Sequence, residues 1–504
     1  MAWSALSGCQ LAPLNGSAQT GPPPLLPHEM PPAPPRELRA AWVASVAYID
    51  WPARAGLNPQ QQRADMTALL QRAQSLGLNA LVVQIRPAAD ALYRSALEPW
   101  SEYLTGEQGR APDPDWDPLS AWVEGAHERG IELHAWLNPY RARHSGARSA
   151  LSAGHLARTR PDCVRRYGDQ LWLDPSEPAA LEHTAAVVAD VVRRYDIDAI
   201  HIDDYFYPYP ITLPGAGAEL PFPDDAPWLR YLGAGGPLGR DDWRRDNVNR
   251  LVQRLYTLVH QIKPQVRLGI SPFGLPRPDL RPAGIQGFSQ YHKLYADVEL
   301  WLREGWLDYL APQLYWPLDR AAQAFEPLLD AWLALNPRGR HIWPGLFTSS
   351  IASAKPPWPA SEVLEQIERV RRRPAAGGHL HFSMAALLQD RDGIATRLQR
   401  ETYALPALAP ATPWLQGSAP GAPTLAAESD DRLRLRPAYG TPPFVWALWQ
   451  RHAGRWQFSV QPAAQQAIAL AADALGDWPD AVVASAIDRT GQEGARTALK
   501  LGAA

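Results

Sequence analysis

The stretch Ile200-His201-Ile202-Asp203-Asp204-Tyr205-Phe206-Tyr207-Pro208 runs from an apolar strand into two carboxylates and an aromatic cluster. Side chains alternate across a strand, so Ile200 and Ile202 share one face and His201, Asp203 and Tyr205 the other. One oily face and one acidic face suit the wall of a cavity that receives a polar ligand. Two carboxylates at such a place suit glycoside hydrolysis. One stabilises or traps an oxocarbenium-like centre, directly or through water, and the second protonates the leaving oxygen. Asp203 is assigned the first role. Asp204 is assigned the second if the strand ends at Asp203 and the side chain swings into the cleft; on a continuing strand it would face away and fix the following loop. Adjacent carboxylates repel, which raises the proton affinity of one of them. Asp90, Glu98 and Glu102 are further candidates for the acid, because no Glu stands at an obvious strand end.

Other residue types point to sugar recognition. Arg86 could hold a carboxylate ionised or bind an acidic sugar substituent. Asn138 and Gln313 suit hydroxyls or an acetamido group. Trp51, Trp100, Tyr140, Tyr205, Tyr315 and Trp316 lie at or beyond expected strand ends, where aromatic faces would stack on sugar rings. The chain is rich in tryptophan, 21 against 9 phenylalanines, which agrees. No HExxH, P-loop or nucleophile elbow is present. Gly233-Ala234-Gly235-Gly236 follows no strand and reads as a flexible loop. A metal on His201, Asp203 and Asp204 is disfavoured because alternation separates Asp204 from the others. No metal and no cofactor are expected.

These residues need a frame. Strand signals at 41–47, 80–86, 132–138, 199–205, 267–272, 309–316, 341–347 and 379–384 alternate with helical ones. Asn58 can cap the first helix, Pro59 suits its first turn and Gly77 ends it. A helix over 178–195 leads into the fourth strand. Eight such repeats predict an α/β fold, a (β/α)8 TIM barrel over residues 37–400. The strands carry a polar face: Gln84 and Arg86, His134 and Asn138, His201 and Asp203, Ser271, Gln313 and Tyr315, then His379, His381 and Ser383. Turned inward, those near the carboxyl ends ring the mouth where barrel enzymes place their sites. The deeper His134, His201 and His379 fit a structural network in the lumen. The largest insertion, at about 206–245, is expected to form part of the cleft. Residues 401–424 read as an Ala/Pro-rich linker. Residues 425–504 read as a small all-β sandwich, with a hairpin turning at Ala453-Gly454.

The 504 residues carry a net charge of −3 with no basic run, which argues against nucleic acid as a partner. Cys163 reads as a lone buried thiol. Cys9 closes Leu6-Ser7-Gly8-Cys9, similar to a bacterial lipobox, although only five residues precede it; a start codon placed too late would explain that. Residues 1–36 are therefore expected to be a lipobox remnant with Cys9 as the lipidation site, followed by a Pro-rich, unpacked tether. No apolar run is long enough to span a membrane.

The chain resembles the glycosyl-hydrolase-like family 10 of bacterial lipoproteins. The resemblance rests on Arg39-Ala40-Ala41-Trp42-Val43, Asp50-Trp51-Pro52, Gln84-Ile85-Arg86-Pro87 with Asp90-Ala91-Leu92-Tyr93 and Pro99-Trp100-Ser101. It continues with Trp136-Leu137-Asn138-Pro139-Tyr140, the 201–208 stretch, and Asp308 through Trp316. It covers roughly residues 37–390. It implies a barrel, a lipid anchor on the periplasmic side of the outer membrane, and cleavage of glycan strands. For one family member the substrate is peptidoglycan glycan freed of its stem peptides. Chitinase-like barrels end the acidic run of their fourth strand in Glu, where this chain has Tyr205, so their substrate-assisted mechanism does not carry over. The expectation is a glycosidase acting on cell-wall glycan. The alternative is a glycan-binding or scaffolding lipoprotein that kept the barrel and lost the acid.

Overall fold

The computed structural model describes residues 25–213, 215, 217–429 and 431–501. Cys9 and most of the expected tether lie outside the described residues.

Eight parallel staves form the centre, in chain order around the ring. They are Leu38–Val43, Ala80–Arg86, Glu132–Leu137, Ala199–Ile202, Arg267–Ile270, Tyr309–Leu310, an interrupted seventh (His341–Ile342 and Gly345–Leu346), and Gly378–His381. The seventh closes the barrel: its first half pairs with the sixth strand and its second half with the eighth, which pairs with the first.

The two faces of each stave bury different cores. Ala41, Val43, Leu81, Val83, Ile200 and Ile202 join the large cluster beneath the helices. Leu38, Ala40, Trp42, Val82, Trp136 and Tyr309 fill the lumen. The first helix, Pro59–Ser75, starts where Asn58 accepts from the Gln61 amide at 2.9 Å and stops before Gly77 at φ 70°. The helix Pro178–Arg194 buries Ala180, Val187, Val188, Val191 and Val192.

The lumen also holds a polar chain. The Trp42 indole donates to His201 Nε2 at 3.2 Å, which leaves the His201 proton on Nδ1, 2.8 Å from the Tyr309 hydroxyl. Tyr309 reaches His134 Nδ1 at 2.9 Å, and His134 Nε2 lies 3.1 Å from Glu132. Arg267 neutralises Glu132 at 2.6 Å. Burial holds both histidines below their ordinary pKa, so the chain is satisfied as neutral groups above one ion pair. His379 is also buried, against the Tyr403 hydroxyl.

Several boundaries differ from expectation. The fourth strand stops at Ile202 and the sixth at Leu310. Residues 139–176 contain an unanticipated antiparallel sheet of Arg141–Arg143, Val164–Tyr167 and Gln170–Leu173. In the carboxyl-terminal region a three-stranded and a four-stranded antiparallel sheet enclose Leu433, Leu435, Trp446, Leu448 and Ile468. Its hairpin turns at Ala453 and Gly454, both at positive φ.

This sandwich caps the amino-terminal end of the barrel, opposite the mouth. Arg489 donates to the buried Asp198 at 2.7 and 3.0 Å, just before the fourth strand. The segment expected to link the two parts is packed: Leu408 and Thr412 are buried, and the Trp414 indole donates to Asp308 at 2.8 Å. Residues 25–36 also dock, contrary to an unpacked tether. Leu25 and Met30 join the cluster around Trp449, and Arg496 donates to the Pro31 carbonyl at 2.9 Å.

Candidate active site

Because the fourth strand ends at Ile202, Asp203 and Asp204 both leave the sheet, and the alternation that would separate them no longer applies. Both are nearly buried, yet both line a pocket of about 310 Å³ at the mouth of the barrel, a size usual for small-molecule sites.

Asp203 is held by its Oδ2. That atom accepts from the Trp136 indole at 3.1 Å and from the Asn138 amide. The Asn138 carbonyl oxygen is occupied by Gln84 at 2.6 Å and Arg141 at 2.9 Å. Gln84 in turn accepts from the backbone amides of Ser45 and Val46, both at 2.9 Å. The ends of the first three strands thus converge on one carboxylate of the fourth. Burial, the largest influence, pushes Asp203 up to about 7 against the pull of Arg141, and the repulsion of Asp204 adds to the rise. Burial raises Asp204 as well, opposed by the Tyr209 hydroxyl, which donates to Oδ2, and by the Gln313 amide.

Of the residues expected on substrate, Tyr205, Gln313 and Tyr315 line the pocket with the two aspartates. Tyr315 stacks on Phe347 at 5.0 Å between ring centroids and lies 5.7 Å from Phe382, forming an aromatic wall.

The others lie elsewhere. Arg86 is fully buried; it grips Glu98 at 2.6 and 2.8 Å and donates to the Asn138 carbonyl at 2.5 Å. It does hold a carboxylate ionised: burial would raise Glu98, but Arg86 and His183 bring it down to about 2. Asn138 is buried behind Asp203, outside the pocket lining. Tyr140 is wholly enclosed in the outer core. Trp51 packs between Trp116 and Trp122 and donates to the Gln62 carbonyl at 2.9 Å. Trp100 rests on the outer core, and Trp316 sits edge-on to Phe273.

None of the alternative acids lines the pocket. Glu98 is neutralised by Arg86. Glu102 accepts from the amides of Arg148 and Ser149. Asp90, which burial pushes up to about 7, is covered by Gln108 at 3.1 Å.

Trp42, from the first of the motifs quoted above, also lines the pocket, as do Arg141, His144, Tyr209, Phe347 and Phe382, which the sequence did not mark. Arg141 opens a strand of the unanticipated sheet after the third barrel strand, and His144 directly follows that strand. Only the nearness of Arg141 to the Trp136–Tyr140 motif could have marked it. Tyr209 lies in the insertion expected at the cleft.

A closed barrel with paired carboxylates beyond its fourth strand defines a class: the protein is a barrel glycosidase. The family model described as Glycosyl hydrolase-like 10 matches residues 37–359. The chain is 43% identical over 406 residues to Glycosyl hydrolase YngK of Bacillus subtilis, covering 79% of this chain and 78% of that protein. It is 30% identical over 372 residues to Glycosyl hydrolase DigH of Escherichia coli O6:H1, covering 68% and 82%. In fold it is similar to the catalytic domain of a β-amylase from Paenibacillus polymyxa, with a TM-score of 0.50, 11% identity, and 74% and 99% of the two chains covered. The chain belongs to the Glycosyl hydrolase-like 10 family.

Proposed function

We propose that the protein hydrolyses glycosidic bonds in bacterial cell-wall glycan, namely peptidoglycan strands lacking stem peptides, with Asp203 and Asp204 as its working pair. The observation that carries this reading is the environment of Asp203: a buried carboxyl raised to about 7, next to a second carboxylate in the same pocket. A group poised near neutrality can hold a proton and release it on demand.

The hydrogen bonds favour a division of labour opposite to the one assigned from the strand pattern. The Trp136 indole N–H and the Asn138 amide nitrogen can only donate, and both donate to Asp203 Oδ2. A proton on Asp203 therefore sits on Oδ1. It passes to the glycosidic oxygen as the C–O bond breaks. Asp204, which receives the Tyr209 hydroxyl, stays ionised and either attacks the anomeric carbon or takes a proton from the attacking water.

Purified glycan strands free of peptide, incubated with the protein, should release new reducing ends. Asp203→Asn should lower that rate by about 10²–10⁴-fold yet still cleave an aryl glycoside, whose leaving group needs no acid. Asp204→Asn should fail on both and recover with azide. Binding without release of reducing ends by the native protein would reject the enzyme in favour of a glycan-binding scaffold. An envelope location with lipid on Cys9 belongs to the same proposal and is supported by Leu6-Ser7-Gly8-Cys9. Metabolic labelling with a palmitate analogue, lost in Cys9→Ser, tests it.

A further inference from the structure

Buried arginines of the barrel pair with carboxylates, as Arg39 does with Glu37 at 2.7 Å. Arg86 and Arg267 are fully enclosed, and each meets a carboxylate at 2.6 Å, Glu98 and Glu132 respectively. Arg141 is the exception. It is 3% exposed, and among the described residues no carboxylate comes within ion-pair distance of it. Its Nε donates to the Pro87 carbonyl and its Nη2 to Asn138 Oδ1, both at 2.9 Å. Its plane lies over the Tyr205 ring, with Cζ 4.9 Å from the centroid. These contacts fix the side chain and leave Nη1 without a hydrogen bond among the described residues, on the wall of the pocket that holds Asp203 and Asp204. Arg141 meets the charge of Asp203 and Asp204 only across the pocket and pairs directly with neither, and a buried cation gains most from a hydrogen-bonded partner, so a carboxylate on the ligand would complete the arrangement.

A second donor faces the same space. His144 lines the pocket, and its Nδ1 accepts from the Gly146 amide at 3.0 Å. The proton of the neutral ring is therefore on Nε2. Arg141 and His144 are three residues apart on the insert after the third strand, so one element delivers both.

We propose that Arg141 is a specificity-determining residue that binds a carboxylate carried by the sugar ring in the pocket, with His144 Nε2 as an accessory donor. The substrate class is then an acidic glycan, its carboxylate supplied by a lactyl ether or a uronate. This rests on the glycosidase reading and narrows its substrate. Arginine pairs with a carboxylate through two parallel hydrogen bonds, which supplies orientation as well as affinity.

Calorimetric titration of the full chain carrying Asp204→Asn measures binding without turnover. The probes are muramoyl and uronate oligosaccharides, each compared with the same molecule after reduction of its carboxyl to an alcohol. The acidic form of at least one series should bind about 10-fold or more tightly than its reduced form, and the series that does so names the carboxylate's source. Arg141→Met should erase that difference, and Arg141→Lys should keep part of it. If Arg141→Met does not fold, the paired ligands and the lysine variant decide. Equal affinity for acidic and reduced forms in both series would overturn the proposal. Equal cleavage of both forms by the native protein would end the Arg141 assignment and leave the glycosidase standing; preferential binding with no cleavage would do the opposite.

Discussion

Asn138 and Asp203 stand one position beyond the last paired residues of adjacent barrel strands, Leu137 and Ile202, and the Asn138 amide donates to Asp203 Oδ2. The amide has no freedom to turn, because its oxygen already accepts from Gln84 and Arg141. Asn138 is thus a positioning residue. In the proposed mechanism it aims the Asp203 carboxyl and makes no contact with the sugar.

Asn138→Ala should therefore lower kcat by about 5–150-fold, the cost of about 1–3 kcal/mol for a lost buried partner, with little change in KM. Losing a donor to the ionised form should also move the Asp203 limb of the pH–rate profile upward. A rise in KM with an unchanged profile would instead mark Asn138 as a substrate contact.

Asp203 should weaken the fold that holds it. Its folded-state pKa of about 7 lies above the unfolded value of about 4. The folded state thus favours the protonated form, a benefit fully present below pH 4 and lost as pH rises through 7. Asp203→Asn should gain on the native protein over that window, by about 2–4 kcal/mol at pH 8. Urea unfolding of both proteins at pH 5 and pH 8 measures it. A difference that does not grow with pH refutes the raised pKa.

Arg86 should behave as a strut. Arg86→Met leaves Glu98 buried with only His183 at 2.8 Å, and breaking such a pair costs about 3–5 kcal/mol. The expected outcome is a large fall in melting temperature or loss of soluble protein. A variant of native stability with a selectively raised KM would return Arg86 to the substrate.

Arg489 should couple the sandwich to the barrel. Its guanidinium and His127, at 2.9 Å, hold the buried Asp198 well below the usual carboxylate range. Arg489→Met should cost about 2–4 kcal/mol in thermal unfolding, and adding Asp198→Asn should recover part of it. Cleavage at 25 °C should persist, because the contact lies at the opposite end of the barrel from the pocket. Full additivity of the two substitutions would show that the pair does not interact.

The ring of eight strands was legible in the chain because its signals are local. A two-residue period decides which side chains face the lumen, and Ile200 and Ile202 lie outward while His201 lies inward as that period requires. Asn58, Pro59 and Gly77 bound a helix by backbone chemistry alone, and Ala453-Gly454 marks a turn in the same way. The two aspartates that line the pocket were marked in the chain for that reason too. What the tertiary structure decided is where each strand stops and who meets whom. The end of the fourth strand at Ile202 brings Asp204 beside Asp203. Arg86 turns to Glu98, Asn138 to Asp203, and Arg489 to a carboxylate 291 residues away. Charge and hydrogen-bonding capacity are written in each residue, but a partner is chosen only when the closed barrel brings distant strand ends and inserts together, and burial then sets the protonation state.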